Sequence, residues 1–95
     1  MLDEAAFTKA TSSAEGAAVL QEFTVAAADV AWDATSLKDR LEEIGTAHGL
    51  KLNKSQAPIR LAVLGRPVGP PLFESLEVLG RDVVLARLRA AIERV

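Results

Sequence analysis

The chain has no cysteine and no tyrosine, and its one histidine is His48. Without cysteine there is no disulfide framework, no thiolate nucleophile and no cysteine-based zinc site, and a single histidine cannot build a histidine-rich metal cluster. A hydrolytic triad needs a nucleophile, a base and an orienting acid brought together, so only a serine paired with His48 is open to this chain. No Gly-x-Ser-x-Gly marks a serine for that role, and His48, near a predicted helix end, reads as a group interacting with the helix dipole or solvent. The neighbours Glu42 and Glu43 project about 100° apart on a helix, so they form a solvated face rather than an acid–base pair. Gly65 and Gly69 lack the Lys-Ser/Thr that completes a phosphate loop. No apolar run reaches the roughly 18 to 20 residues that span a bilayer, and Met1-Leu2-Asp3-Glu4 is acidic where a secretory signal starts basic. The expectation is a soluble, cytoplasmic chain with no membrane partner.

What is present is ordinary globular material: 95 residues, 49% of them hydrophobic and 25% charged. That length suits one domain, residues 1–95, with one core. Alanine occurs 17 times, while the aromatics are only Phe7, Phe23, Trp32 and Phe73, a mixture that favours helix over sheet. The net charge of −2 conceals two halves of opposite sign, −6 over residues 1–50 and +4 over residues 51–95. Between Lys51 and Glu74 lie Lys54, Arg60 and Arg66 and no acid. Such asymmetry suits a polyanionic partner, or equally a solvated surface that segregates its charge.

Apolar spacing predicts a short helix from Leu2 to about Ala10 that buries Leu2, Ala6 and Phe7. Ser12 and Glu15 fit a capping box that opens a second helix. Its stripe is Leu20, Phe23, Ala27 and Val30, its end lies near Asp29 to Ala31, and Gly16 weakens its start. Trp32, Asp33 and Leu37 are spaced as a hydrophobic staple around an N-cap. The third helix then presents Leu37, Leu41, Ile44 and Ala47 or His48 on one face. Gly49 sits where a left-handed C-cap residue belongs, with Leu50 as the apolar contact behind it.

Prolines and glycines cut the second half into short pieces. Ile59 to Leu64 has the composition of a buried strand, yet Pro58 suits the first position of a helix, and a helix beginning there is expected. Residues 65–70 read as a loop. A helix follows from Pro71, with Leu72, Phe73, Leu76 and Leu79 inward, until Gly80 stops it. The last helix, from about Arg81 to Glu93, buries Val84, Leu85, Leu88 and Ile92 and leaves Arg87, Arg89 and Arg94 free. The expected fold is all-α, with six or seven short helices.

Lys51-Leu52-Asn53-Lys54-Ser55 looks like the Lys-Met-Ser-Lys-Ser loop of class I aminoacyl-tRNA synthetases. That loop works against a nucleotide-binding Rossmann sheet bearing a His-Ile-Gly-His type motif, and this chain has neither the length nor a second histidine. The likeness is chance, and Lys51 and Lys54 read as surface or backbone-contacting bases.

A different resemblance covers more of the chain. Pro58-Ile59-Arg60-Leu61-Ala62-Val63-Leu64-Gly65, the loop Arg66 to Gly69, and Pro70-Pro71-Leu72-Phe73-Glu74 resemble the C-terminal signature of bacterial glutamyl-tRNA synthetases, Pro-Leu-Arg-x-Ala-Leu-Thr-Gly and then Pro-Gly-Leu-Phe-Glu. Leu76-Glu77-Val78-Leu79-Gly80-Arg81 and Arg87-Leu88 are similar to its Leu-x-x-Leu-Gly-Lys and closing Arg-Leu. The stretch from Trp32 to Leu50 is similar to its Trp-led helix ending in Gly-Leu-Lys, and the likeness is looser over 1–31. The resemblance implies the terminal part of the α-helical cage that binds the anticodon, cut from its Rossmann catalytic domain, with Met1 an added start. It also implies a non-catalytic piece without cofactor, ATP and magnesium belonging to the parent ligase. Its partners would be the anticodon loop of glutamate tRNA and the rest of the parent enzyme.

Loop bases in RNA are held by stacking and by hydrogen bonds to their edges, while cations neutralise the backbone. On that physics the resemblance assigns Arg60 to the anticodon bases or adjoining phosphate. Gly69, Pro70, Leu72 and Phe73 fall on the segment that packs on the first two anticodon bases, although Leu72 and Phe73 equally fit the inward face of their helix. Arg66 adds a phosphate contact on its chemistry alone. The chain departs from the pattern at Gly69, where Thr or Ser is usual, at Pro71, where Gly is usual, and at Ala57, where Gln is usual. A helical protein–protein or dimerisation module with a basic face is the alternative reading.

Overall fold

Side chains that accept a backbone amide proton mark where the first three helices begin. The computed structural model describes residues 3–95, so the expected burial of Leu2 lies outside the described residues. Asp3 caps α1 (Glu4–Thr11) by accepting from the Ala6 amide, and Phe7 is buried as expected. The cap of α2 (Ala14–Ala26) is Ser13, not Ser12. Ser12 has helical backbone angles as the C-cap of α1 and donates its hydroxyl to the Lys9 carbonyl. Ser13 has the extended backbone that an N-cap requires, and it accepts from Gly16. Gly16 is needed there, because a β-carbon would lie 2.1 Å from the Ala10 carbonyl oxygen.

The second helix ends at Ala26, before the expected Asp29, because its last turn tightens. Ala28 and Asp29 donate three residues back, to Val25 and Ala26. Leu20, Phe23 and Ala27 are fully buried, while Val30 packs at the edge of the core. Asp33 caps α3 (Ala34–Ala47) by accepting from the amide and the hydroxyl of Ser36. These bonds, the amide first, hold the Asp33 carboxyl below the usual carboxylate range; partial burial opposes them and the Thr35 amide adds to them. Gly49 adopts φ +76°. The amide of Leu50 donates to the Gly45 carbonyl and that of Gly49 to Thr46, the paired bonds of a Schellman cap. Leu37, Leu41 and Ile44 form the buried face, which ends at half-buried His48 while Ala47 is exposed.

The largest correction concerns α4, which runs Leu52–Leu64 with Pro58 inside it rather than at its start. A proline in a helix interior removes one backbone bond and costs about 3 kcal/mol. Pro58 and Ile59 are fully buried and Leu61 and Val63 nearly so, and that burial offsets the lost bond. Helix α4 packs against all five other helices, including α5 (Leu72–Leu79) and α6 (Arg81–Ile92). Where it crosses α3, a β-carbon on Gly45 would lie 1.9 Å from the Ser55 hydroxyl, so glycine sets how closely the two helices approach. The core predicted for α6 is present, with Val84, Leu85 and Leu88 buried and Ile92 at its edge. Arg87 and Arg94 are not free: Arg87 donates to the Val63 carbonyl at 2.8 Å, and Arg94 pairs with Glu4. The described residues thus form an all-α fold of six helices with no strand.

Candidate nucleic-acid interface

Central placement of α4 fixes the base of Arg60 while its guanidinium reaches the chain's exposed loop. Its Nη1 donates to the Pro70 carbonyl at 2.7 Å, and the place a β-carbon would take on Gly69 lies 3.7 Å from the same nitrogen. Gly69 and Pro70 are exposed, as is the whole stretch from Arg66 to Pro71. A guanidinium carries five N–H donors, and one of them is engaged here, so the group can brace the loop and still face an anion or a base edge.

Behind Pro70 the chain turns into α5 at Pro71, which has no side-chain cap to offer. The first-turn amides of α5 therefore lie uncapped by any side chain, beside Arg60's partner. Leu72 and Phe73 point the other way: they are 2% and 7% exposed and belong to the core. Neither residue therefore offers a stacking face, and both anchor the start of α5 in the core. Arg66 is exposed, and among the described residues no hydrogen bond or ion pair engages its side chain. The structure thus gathers Arg60, Gly69 and Pro70, sets Arg66 in the same loop, and packs Leu72 and Phe73 beneath.

Helix α5 is held from its far side. Trp32 donates its indole N–H to the Leu76 carbonyl at 3.0 Å, and the Arg81 guanidinium lies 5.2 Å from the centre of the Trp32 ring. A cation over an indole face is attracted by the ring quadrupole. Arg81 also donates to the Val30 carbonyl, which ties the α2–α3 connection to the start of α6.

With the helix start expected at Pro58, Asn53, Lys54 and Ala57 fell outside any helix. In the structure they share α4 with Arg60, and Asn53, Ala57 and Arg60 follow one another at four- and three-residue steps along one side of it. The signal was present in that spacing but hidden by the proline. No helix among the described residues is long and apolar enough to cross a membrane.

Comparison with known proteins supplies a second line of evidence. Residues 1–92 match the family described as Anticodon binding domain. The chain is 54% identical over 91 residues to the glutamate–tRNA ligase of Salinispora arenicola, covering 96% of this chain and 19% of that protein. With the Salinispora tropica ligase the identity is 57% over 93 residues, 96% of this chain and 20% of the relative. The Thermobifida fusca ligase is 50% identical over 96 residues, 97% of this chain and 20% of the relative. The chain therefore spans about a fifth of the length of the curated relatives it matches. No solved structure matches it.

Proposed function

Since the chain belongs to the anticodon binding domain family of glutamate–tRNA ligases, we propose that residues 1–95 act as one non-catalytic RNA-binding domain. In this reading it helps a cytoplasmic ligase read the anticodon loop of glutamate tRNA, and the parent's catalytic domain supplies ATP, magnesium and the chemistry. The observation that carries the reading is the Arg60 guanidinium bonded to the Pro70 carbonyl at the rim of an exposed loop. Arg60 holds the Gly69–Pro70 backbone in place and directs its remaining donors to an RNA phosphate or base edge. Arg66 adds a second phosphate contact from the loop. Gly69 and Pro70 meet the anticodon bases, with buried Leu72 and Phe73 fixing that segment from below.

Substitution at Arg60 tests this. Each phosphate contact to a single strand contributes about 0.7 to the slope of log affinity against log salt. Arg60→Ala should weaken binding of a glutamate anticodon stem-loop and flatten that slope by about this amount, whereas Arg60→Lys should retain the slope and lose affinity through the loop. Unchanged affinity and slope in Arg60→Ala would remove the residue from the interface. The alternative, a protein–protein or dimerisation module, draws on Val68 and Val78, which are 76% and 86% exposed. A chain that self-associates but binds no stem-loop at low salt would favour it.

A further inference from the structure

Between α1 and the start of α2 on one side and α4 on the other lies a groove of about 640 Å³, with Pro67 of the loop in its lining. Its polar lining is Lys9, Ser13, Asn53 and Lys54, over a floor of small and apolar residues, and no acid lines it. Lys9 is one of only three bases in the acid-rich first half of the sequence. Folding carries it to the same groove as Lys54, where positive charge from both halves meets. Among the described residues no ion pair engages either lysine, whereas Arg40 pairs with Glu43 and Arg94 with Glu4. Two unpaired ammonium groups on a concave surface that also carries the Asn53 amide and the Ser13 hydroxyl suit phosphate oxygens, because a lysine binds phosphate as a point charge without demanding one orientation.

The groove and the loop site share helix α4 and the 66–71 stretch. Asn53, Ala57 and Arg60 lie along one side of α4, and seven residues of helix rise about 10 Å. Pro67 belongs to the same exposed stretch as Arg66 and Gly69. We infer that this groove is a phosphate track, in which Lys9 and Lys54 hold the sugar–phosphate backbone of the RNA strand next to the bases at Arg60 and Pro70. The inference rests on the RNA-binding reading above and extends the interface to α1, a helix to which no contact was assigned.

The test is a salt titration of stem-loop binding by fluorescence anisotropy, comparing the 95-residue chain with Lys9→Ala/Lys54→Ala, Arg60→Ala and Lys38→Ala. Lys9 and Lys54 are exposed, so circular dichroism should show the double variant folded. Two lost phosphate contacts should flatten the salt slope by about 1.4 and weaken binding by an order of magnitude or more near 0.1 M salt. Because phosphates carry no sequence, the loss should be equal for the cognate stem-loop and for one with its middle anticodon base changed. Lys38, on α3 and outside the groove, serves as the control for removing positive charge in general. A double variant whose slope equals that of the parent, or shifts no more than Lys38→Ala, overturns the track; if Arg60→Ala still flattens the slope, the loop site survives that result. A parent chain that binds neither stem-loop at low salt overturns the loop site and the track together.

Discussion

At the scale of single residues, the proposed interface depends on side chains whose partners are main-chain groups. Arg60 was legible from sequence as the arginine of a signature, but its bond to the Pro70 carbonyl, ten residues away, depends on how the loop folds back on α4, and no local pattern encodes that. Leu72 and Phe73 show the converse. Their inward helical spacing and their place in the signature pointed in two directions, and the structure puts both side chains in the core. Truncating either one removes packing worth about 2–5 kcal/mol, so lost binding in such a variant would report stability first. Asp33 gives a cleaner residue-scale prediction. Its folded carboxyl is held below its ordinary value by Ser36, so the stability it contributes is complete above the usual carboxylate range, near pH 4, and is lost as pH falls through the lowered folded value. Asn caps a helix about as well as Asp but does not titrate. In urea unfolding followed by Trp32 fluorescence, the advantage of the parent over Asp33→Asn should therefore shrink on acidification from pH 6 to pH 3. A difference independent of pH would contradict the assignment.

At the scale of helices, boundaries set by side-chain caps and glycine were readable, and those set by tertiary contact were not. Asp33, Gly49 and Gly80 ended or began helices where expected, since each acts on its own backbone. Pro58 misled because its local cost is real; only its burial against the neighbouring helices shows what offsets it. Gly16 and Gly45 belong to the same class. Gly16 lowers the intrinsic helix propensity of α2, yet both glycines sit where another chain segment leaves no room for a β-carbon. Gly16→Ala and Gly45→Ala each gain helix propensity of up to about 1 kcal/mol, and each forces a clash with its neighbour. The clash should win, lowering stability by about 1–3 kcal/mol in urea denaturation. Gly16→Ala should be the more damaging, because it meets backbone that cannot rotate away, whereas Gly45→Ala meets the Ser55 side chain. A stabilised Gly16→Ala variant would show that α1 and α2 do not approach as closely as described.

For the whole molecule, the opposite charges of the two sequence halves do not map simply onto two faces. Lys9 joins Lys54 in lining the groove, and Arg94 turns back to Glu4, so part of the basic half is spent on the fold and the acidic half contributes a cation to the groove. Counting charge along the chain anticipated a polyanion as partner but not its route, because that depends on which helices lie side by side. Above all, we propose that the surface formed by Arg60 and the Gly69–Pro70 loop reads RNA. Its most direct test is to titrate the isotope-labelled chain with a glutamate anticodon stem-loop and with a middle-base variant, following backbone amide shifts by NMR. On this proposal, saturable shifts that shrink with the variant are expected at Arg60, Gly69, Leu72 and Phe73. Diffuse shifts along Arg81 to Arg94 that are the same for either RNA, or no shifts at all, would contradict it.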